Sequence, residues 1–373
     1  MSLRLRPMRH RLHALCPYFA MFPPEFVRDN IEAYSRKGDL VLDPFSGRGT
    51  TLLESLITGR KAIAGDINPV AYCVSAAKAD IPSLKEIEDE LHRLERVQAK
   101  TDVGVPVEIA TSHFFRRAFH PDTLGQLLFL RRTLQWRENR IHRFLTALTL
   151  GHLHGESDRS DHYFSNQMPH SISTKPNYSV RYWSSHRLQA PSRDVFAILR
   201  SRAAFRLETG VPKLSGRAAL CDVRQIARAF RGSAESVGIA VTSPPYLDVT
   251  NFEEDQWLRL WFLGGPPHPT YRRISRDDRL RHESTYWDFL QASWRGIAPL
   301  MRPKAVLICR IGAKGKEPDT LMKRFSQSIS SIWPRAHALF RPRVSELKRS
   351  QITVLNPKAE GCRYEIDFGF SLA

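Results

Sequence analysis

The sequence predicts a doubly wound α/β fold with one largely helical insertion and a C-terminal antiparallel hairpin. Three observations predict it. Short apolar runs at Leu40-Val41-Leu42 and Ala62-Ile63-Ala64 flank a helical stretch, and such runs without alternation read as strands covered on both faces. Runs of the same kind return at Ala218-Ala219-Leu220 and Gly238-Ile239-Ala240-Val241. Between the two halves the strand signal stops, and Leu84, Ile87, Leu91, Leu94 and Val97 recur at helical spacing.

Taken in order, a short helix is expected over residues 25–34, started by Pro23-Pro24, because proline at the first helical turn sacrifices no hydrogen bond. Lys37-Gly38-Asp39 turns into the first strand, which runs on into Asp43-Pro44-Phe45-Ser46-Gly47-Arg48-Gly49-Thr50-Thr51. Leu52, Leu53, Leu56 and Ile57 then share one helical face, and a second strand ends in Gly65-Asp66. Helices are expected over 124–134, 141–150 and 192–207, whereas 151–187 is polar, aromatic and histidine-rich without a period. The sheet resumes with strands ending in Cys221-Asp222 and in Thr242-Ser243-Pro244-Pro245-Tyr246. A helix near 287–300 precedes a strand over 305–311, and residues 352–355 and 364–370 alternate as a hairpin does. The sheet domain is therefore assigned to 1–80 and 216–373, and the insertion to 81–215.

Composition narrows the function. The chain has 56 Lys and Arg against 38 Asp and Glu, a net charge of +18, which calls for a polyanionic partner, nucleic acid before an acidic membrane surface. A hydrophobic share of 42% excludes intrinsic disorder. Cys16, Cys73, Cys221, Cys309 and Cys362 are scattered and form no CxxC, so neither a disulfide framework nor a zinc knuckle is expected, and the chain reads as cytoplasmic. No apolar run reaches the about 18 residues that span a bilayer. The basic start is followed by a stretch that holds Pro17 and lacks a small-residue cleavage site, so no signal peptide is expected. His152 and His154 have no companion ligand set, so no metal is expected.

The chemistry is concentrated at strand ends. Gly47 and Gly49 allow a tight turn and close approach of a ligand to backbone, and the helix behind them offers free N–H groups to an anion. Asp66, about twenty residues on, stands where a ribose diol is gripped. The spacing is neither GxGxxG nor GxxxxGK[ST], so a dinucleotide or a nucleoside triphosphate is not the first reading. Asp222 ends the next strand. In Ser243-Pro244-Pro245-Tyr246 two prolines fix the backbone and remove donors, leaving carbonyl acceptors, a serine oxygen and a flat ring.

Together these runs resemble the DNA amino-methyltransferases. The segment Asp43–Thr51 is similar to their S-adenosylmethionine loop, and Thr242-Ser243-Pro244-Pro245-Tyr246 to their catalytic motif. The Ser-Pro-Pro-Tyr form is the one associated with cytosine-N4 methylation; adenine-N6 enzymes usually begin with Asp or Asn. The resemblance implies a Rossmann-like class I methyltransferase sheet and S-adenosylmethionine as cofactor. It implies cofactor contacts from Tyr18, Met21, Phe22 and Pro23, from Asp43, Pro44, Phe45, Gly47, Gly49 and Thr50, from Asp66, Ile67 and Asn68, and from Asp222 and Val223. Ser243, Pro244, Pro245 and Tyr246 are implied as catalytic. It covers 17–80 and 216–311 and leaves out the insertion. Arg48 departs from it, standing where Ser or Cys is usual.

The resemblance implies duplex DNA as partner and leaves room for a cognate restriction endonuclease. Arg181 in the aperiodic segment and Arg272, Arg273 and Arg276 after the catalytic strand are expected to contact DNA. His152, His154, His162, Asn166, Gln167, His170, Asn177, Tyr178, Tyr182 and Trp183 supply base-reading and stacking chemistry. Adenine-N6 methylation, an RNA amino-methyltransferase and an inactive DNA-binding module remain as alternatives. Cytosine-C5 chemistry needs a cysteine nucleophile, typically after proline, and no Pro-Cys pair occurs. Pro318-Asp319 with Glu346-Leu347-Lys348 fits a permissive nuclease pattern but is expected in the last helix and hairpin of the sheet.

Overall fold

The computed structural model describes residues 9–17, 23–156, 160–168, 175–247, 255–270, 283–313, 315–347 and 362–372. Among these, eight strands form one sheet: β1 (Leu40–Asp43), β2 (Lys61–Asp66), β3 (Arg217–Leu220), β4 (Val237–Thr242), β5 (Met301–Gly312), β6 (His337–Ala338), β7 (Arg343–Glu346) and β8 (Tyr364–Leu372). The order is β3-β2-β1-β4-β5-β8-β6, with β7 also paired to β8. Strands β1 to β5 are parallel, and β8 runs antiparallel to β5. This is the doubly wound, Rossmann-like order, and it reverses between β1 and β4, where such sheets bind ligands beyond the carboxyl ends of their strands.

Period-two alternation explains why both faces are covered. Val41, Ile239, Val241 and Ile308 pack on one side against Val27 and Ile31 of α1 (Pro24–Tyr34). Leu42, Ala240, Leu307 and Cys309 point the other way, into a core with Trp294, Phe325 and Phe368. Trp294 belongs to the helix Glu283–Ile297 and Phe325 to Pro318–Ser330. Helix α2 (Thr50–Ile57) lays Leu52 and Leu56 on Ala62 and Ala64 of β2. Helix α3 (Pro69–Ala79) is begun by Asn68, whose side chain accepts the Val70 N–H, with Pro69 at the first position.

The insertion is helical, as its periodicity predicts. It comprises α4 (Leu84–Gln98), α5 (Val107–Ala110), α6 (His113–Ala118), α7 (Pro121–Thr133), α8 (Arg140–His152), α9 (Pro176–Ser185) and α10 (Val195–Leu207). It shares a continuous core with the sheet's own helices: Val70, Cys73, Val74 and Ala77 of α3 pack with Leu91, Phe144, Phe196, Trp257 and Trp261.

Two expectations change. Residues 151–187 contain the helix α9, concealed by its mixed polarity, which buries only Ser179 and Trp183. The described partners of the C-terminal strand are β5, β6 and β7, with Arg343 opposite Asp367; the 352–355 arm of the expected hairpin lies outside the described residues. Pro318-Asp319 opens a helix and Glu346 ends β7, as expected, while Lys348 lies outside.

Candidate active site

The carboxyl ends of β1, β2 and β4 converge. Gly47 and Gly49 both have positive φ, 48° and 74°, which a side-chain-bearing residue adopts only at a cost. A Cβ on Gly49 would sit 2.9 Å from the Ser75 Cα, so the loop presses directly on α3. Asp66 fastens the loop: Oδ2 accepts the Gly47 N–H at 2.9 Å, and Oδ1 accepts the Asn68 N–H at 2.9 Å. Burial pushes its pKa up to about 6, against the pull of those donors. Beside it Ile67 is 62% exposed, an apolar side chain left open next to a polar loop.

Asp43 joins the loop to the neighbouring strand. It is buried, accepts from Thr242 Oγ1 at 2.7 Å and from the Phe45 N–H at 3.2 Å, and burial pushes it up to about 6. Thr51 Oγ1 donates to the Val241 carbonyl at 3.0 Å. These bonds set the glycine loop against the end of β4. Phe45 is half-buried with its ring edge-on to Phe289, 5.9 Å away. Pro44 and Thr50 are buried, and Thr50 Oγ1 accepts from Arg48 Nε at 3.1 Å.

At the end of β4, Ser243 Oγ donates to the Arg310 carbonyl at 3.0 Å, which leaves the oxygen with acceptor capacity. The Tyr246 hydroxyl donates to Glu365 Oε1 at 2.9 Å. Its ring backs onto Gly312, where a Cβ would meet Tyr246 Cε2 at 2.9 Å. Burial, and then the Glu365 charge, push the phenol well above its ordinary value. Pro244 is buried and Pro245 half-buried.

The reading from sequence missed the support beneath this motif. Arg310 bonds Asp367 through Nε at 2.6 Å and Glu365 through Nη1 at 3.2 Å, and its guanidinium lies 4.1 Å from the Phe26 ring. Burial works against its charge, but the Asp367 hydrogen bond and both carboxylates hold its pKa above the ordinary value. The available signal was a charged residue inside an apolar strand on each side, Arg310 in β5 and Glu365 and Asp367 in β8. Their pairing, Arg310 opposite Asp367, exists only in the folded register.

Asp222 ends β3's extension, but its carboxylate is paired with Arg224 and caps the turn Val223–Gln225. Val223 is buried in the sheet core. Pro23 precedes α1 at the surface; Tyr18, Met21 and Phe22 lie outside the described residues, as do Arg272, Arg273, Arg276 and His170.

Several expected base readers are corrected. Trp183 is 1% exposed and donates to the Gln167 carbonyl, packed on Phe114. His152 and Asn166 are buried, and His152 bonds the Leu148 carbonyl through Nδ1. A large aromatic and two polar groups with backbone partners build core here, so the polar composition of the segment misled. Asn177, Tyr178 and Arg181 are exposed on α9. Asn177 and Arg181 line a cleft with His113, Val180 and His268, about 870 Å³ in volume.

Arg48 is the other departure. It is half-buried, and among the described residues its side chain hydrogen-bonds only Thr50 and pairs with no acid; Glu25 is bound by Arg9. Burial pulls its pKa down to about 10. Beneath the loop, fully buried Lys78 donates to the Arg48 carbonyl at 2.6 Å.

Residues 4–77 match the family model described as DNA methylase, of the N6/N4 type. Among curated proteins, the chain is 34% identical over 79 residues to the type II methyltransferase M.MjaII of Methanocaldococcus jannaschii, covering 20% of this chain and 15% of that one. It is 42% identical over 59 residues to M.XycI of Xanthomonas campestris pv. cyanopsidis (16% and 20%), and 29% identical over 140 residues to M.BsoBI of Geobacillus stearothermophilus (36% and 26%). The matched parts thus amount to between 15% and 26% of the length of these relatives. A solved rRNA methyltransferase, aviRa from Streptomyces viridochromogenes, aligns over 98% of this chain and 94% of its own at 12% identity, with a TM-score of 0.35.

The family's cofactor is S-adenosylmethionine, and the residues present fit it. Asp66 keeps acceptor capacity beyond its backbone bonds, Ile67 offers an open apolar surface, and Arg48 has no anion among the described residues.

Proposed function

We propose, from a chain whose residues 4–77 match a DNA methylase family model of the N6/N4 type, that this protein methylates the exocyclic N4 of cytosine in duplex DNA. When bound, S-adenosylmethionine supplies a methyl group on a sulfonium sulfur. Asp66 would accept from its ribose hydroxyls, Ile67 would cover its adenine, and Arg48 would pair with its methionyl carboxylate.

One observation carries the reading: Ser243 and the glycine loop are brought side by side at the point where the strand order reverses, tied through Asp43 and Thr242. An exocyclic amino nitrogen is a poor nucleophile because its lone pair is delocalised into the ring. Ser243 Oγ spends its proton on the Arg310 carbonyl and so meets an amino group as an acceptor. The Pro244 carbonyl is the second acceptor. Two acceptors drawing on both amino hydrogens favour a pyramidal nitrogen with its lone pair free for direct in-line attack, with no covalent intermediate on the enzyme. The protein's part is positioning and electrostatic match. The target base must leave the helix to reach this recess, and Tyr246, with its hydroxyl anchored on Glu365 and its ring backed by Gly312, supplies the stacking face.

Cytosine is chosen over adenine on Ser243 as the first residue of the motif. Residues 81–215 are assigned to target recognition, with Asn177 and Arg181 in the α9 cleft the exposed readers, and Arg272, Arg273 and Arg276 are assigned to phosphates. The type II names of the relatives support a cognate restriction endonuclease as partner. The test is nucleoside mass spectrometry on DNA from a methylation-free host expressing the chain. N4-methylcytosine is expected. N6-methyladenine would keep the cofactor reading and overturn Ser243 as discriminator, and neither base, with cofactor binding intact, would refute DNA as the substrate.

A further inference from the structure

Helix α10 carries Arg202 and Arg206 one turn apart, a like-charge spacing that ordinarily destabilises a helix. Neither forms a hydrogen bond or ion pair among the described residues, and the Nε of each is buried without a partner. Both guanidinium groups lie over Phe205, 4.3 and 5.4 Å from the ring centroid. A third, Arg11, arrives from the N-terminal turn Arg11–Ala14 and sits 4.1 Å from the same ring. The acid bound here, Glu208, is taken by Arg11. Phe205 itself is 38% exposed.

Three cations on one ring repel each other. Burial, then their mutual charge, lowers Arg206 to about 10, and burial chiefly lowers Arg202. Arg200, on the same helix, shows the alternative that the fold had available, since it is paired with Glu95. Arg202 and Arg206, gathered in this way, have no anion among the described residues, and an anion with several oxygens would serve both. Inward from them, Lys78 lies within electrostatic reach of Arg206 and bonds the glycine loop. The cluster therefore continues outward from the cation beneath the candidate active site.

We propose that Arg202, Arg206 and Arg11 around Phe205 form a phosphodiester-binding site that holds the DNA backbone where the N-terminal turn meets the insertion. The proposal rests on the reading of the chain as a DNA methyltransferase. The guanidinium forks take backbone phosphate oxygens, and the exposed ring covers the adjoining sugar or base. None of these residues was singled out by the motifs.

The experiment is binding of a fluorescent duplex to the full chain across a salt series, for the parent, the double variant Arg202→Ala/Arg206→Ala and the double variant Arg202→Lys/Arg206→Lys. Cofactor affinity of each is measured by calorimetry. The alanine pair should weaken duplex binding about tenfold near 150 mM salt and flatten the slope of log affinity against log salt by about one to two, one phosphate being worth about 0.9. The lysine pair should retain the slope. Cofactor affinity should not move, and because these side chains lose no hydrogen bond or ion pair and the relief of their mutual repulsion offsets the lost contact with Phe205, the alanine pair should melt close to the parent. An unchanged slope in the alanine pair overturns the site, whatever methylation is found. A parent that binds duplex RNA but not duplex DNA overturns the DNA assignment; in that case unchanged cofactor binding identifies the substrate reading, not the cofactor reading, as the failure.

Discussion

Replacing Asp66 by Asn should weaken cofactor binding, through the lost acceptor and charge and through the one loop N–H it leaves without its acceptor. In the structure each carboxylate oxygen already accepts one backbone N–H at 2.9 Å, from Gly47 and from Asn68, and retains a lone pair for a hydroxyl. Asparagine keeps the shape but turns one acceptor into a donor and removes the charge. A charge-assisted hydrogen bond contributes about 1.5–3 kcal/mol, and each 1.4 kcal/mol is about tenfold in affinity, so the loss should be about ten- to a hundredfold. The parent should show the same effect through pH. Asp66 is pushed up to about 6 by burial, so its charged form, the one that grips a diol, is depleted as pH falls from 7 to 5. Affinity should therefore fall over that window in the parent and fall less steeply in Asp66→Asn, where only Asp43 of the two still titrates. Calorimetric titration with S-adenosylmethionine at several pH values reads both effects, with circular dichroism to confirm folding. A variant within twofold of the parent, or a parent whose affinity is level between pH 5 and 8, would refute the assignment.

Other perturbations test the frame. Gly49→Ala forces a side chain into positive φ and places a Cβ 2.9 Å from backbone; the two effects, each about 1–2 kcal/mol, should lower urea-unfolding stability by about 2–4 kcal/mol. His13 is buried against Glu54, with its Nε2 2.6 Å from the carboxylate and its Nδ1 without a partner, and burial lowers it to about 4. Its pKa is below the unfolded value near 6.5, so the unfolded chain binds more protons between them. The His13 contribution to stability therefore falls as pH drops from about 6.5 to 4, by at most about 1.4 kcal/mol per pH unit. Relative to His13→Gln, the parent should lose stability over that window in urea titrations; parallel pH profiles would exclude the linkage.

The legible part of the protein was its local chemistry. The strands β1, β2, β4 and β5, the glycine loop, the acid ending β2 and the Ser-Pro-Pro-Tyr turn all follow from short-range patterns: apolar runs, glycine conformational freedom and proline's missing N–H. Residues 151–187 were misread because composition does not report packing: Trp183 is consumed by the core through Phe114, distant in sequence, and His152 is buried with its ring on the Leu148 carbonyl one turn away. Composition reports what a side chain can do, and only packing determines whether it meets solvent.

The tertiary structure decided the remainder because the contacts involved close long loops. Arg310 reaches Asp367 across an antiparallel register that joins β5 to the C-terminal strand, and Tyr246 is anchored by Glu365 from that strand. Arg11 reaches the Phe205 ring from the N-terminal turn, 194 residues away in the chain. Sequence alone determined which strand ends carry the glycine loop, Asp66 and the Ser-Pro-Pro-Tyr turn, since that is written in neighbouring residues. Which charges are paired and which are left without a partner depended on distant segments meeting, and that is where Arg48, Arg202 and Arg206 acquired their significance.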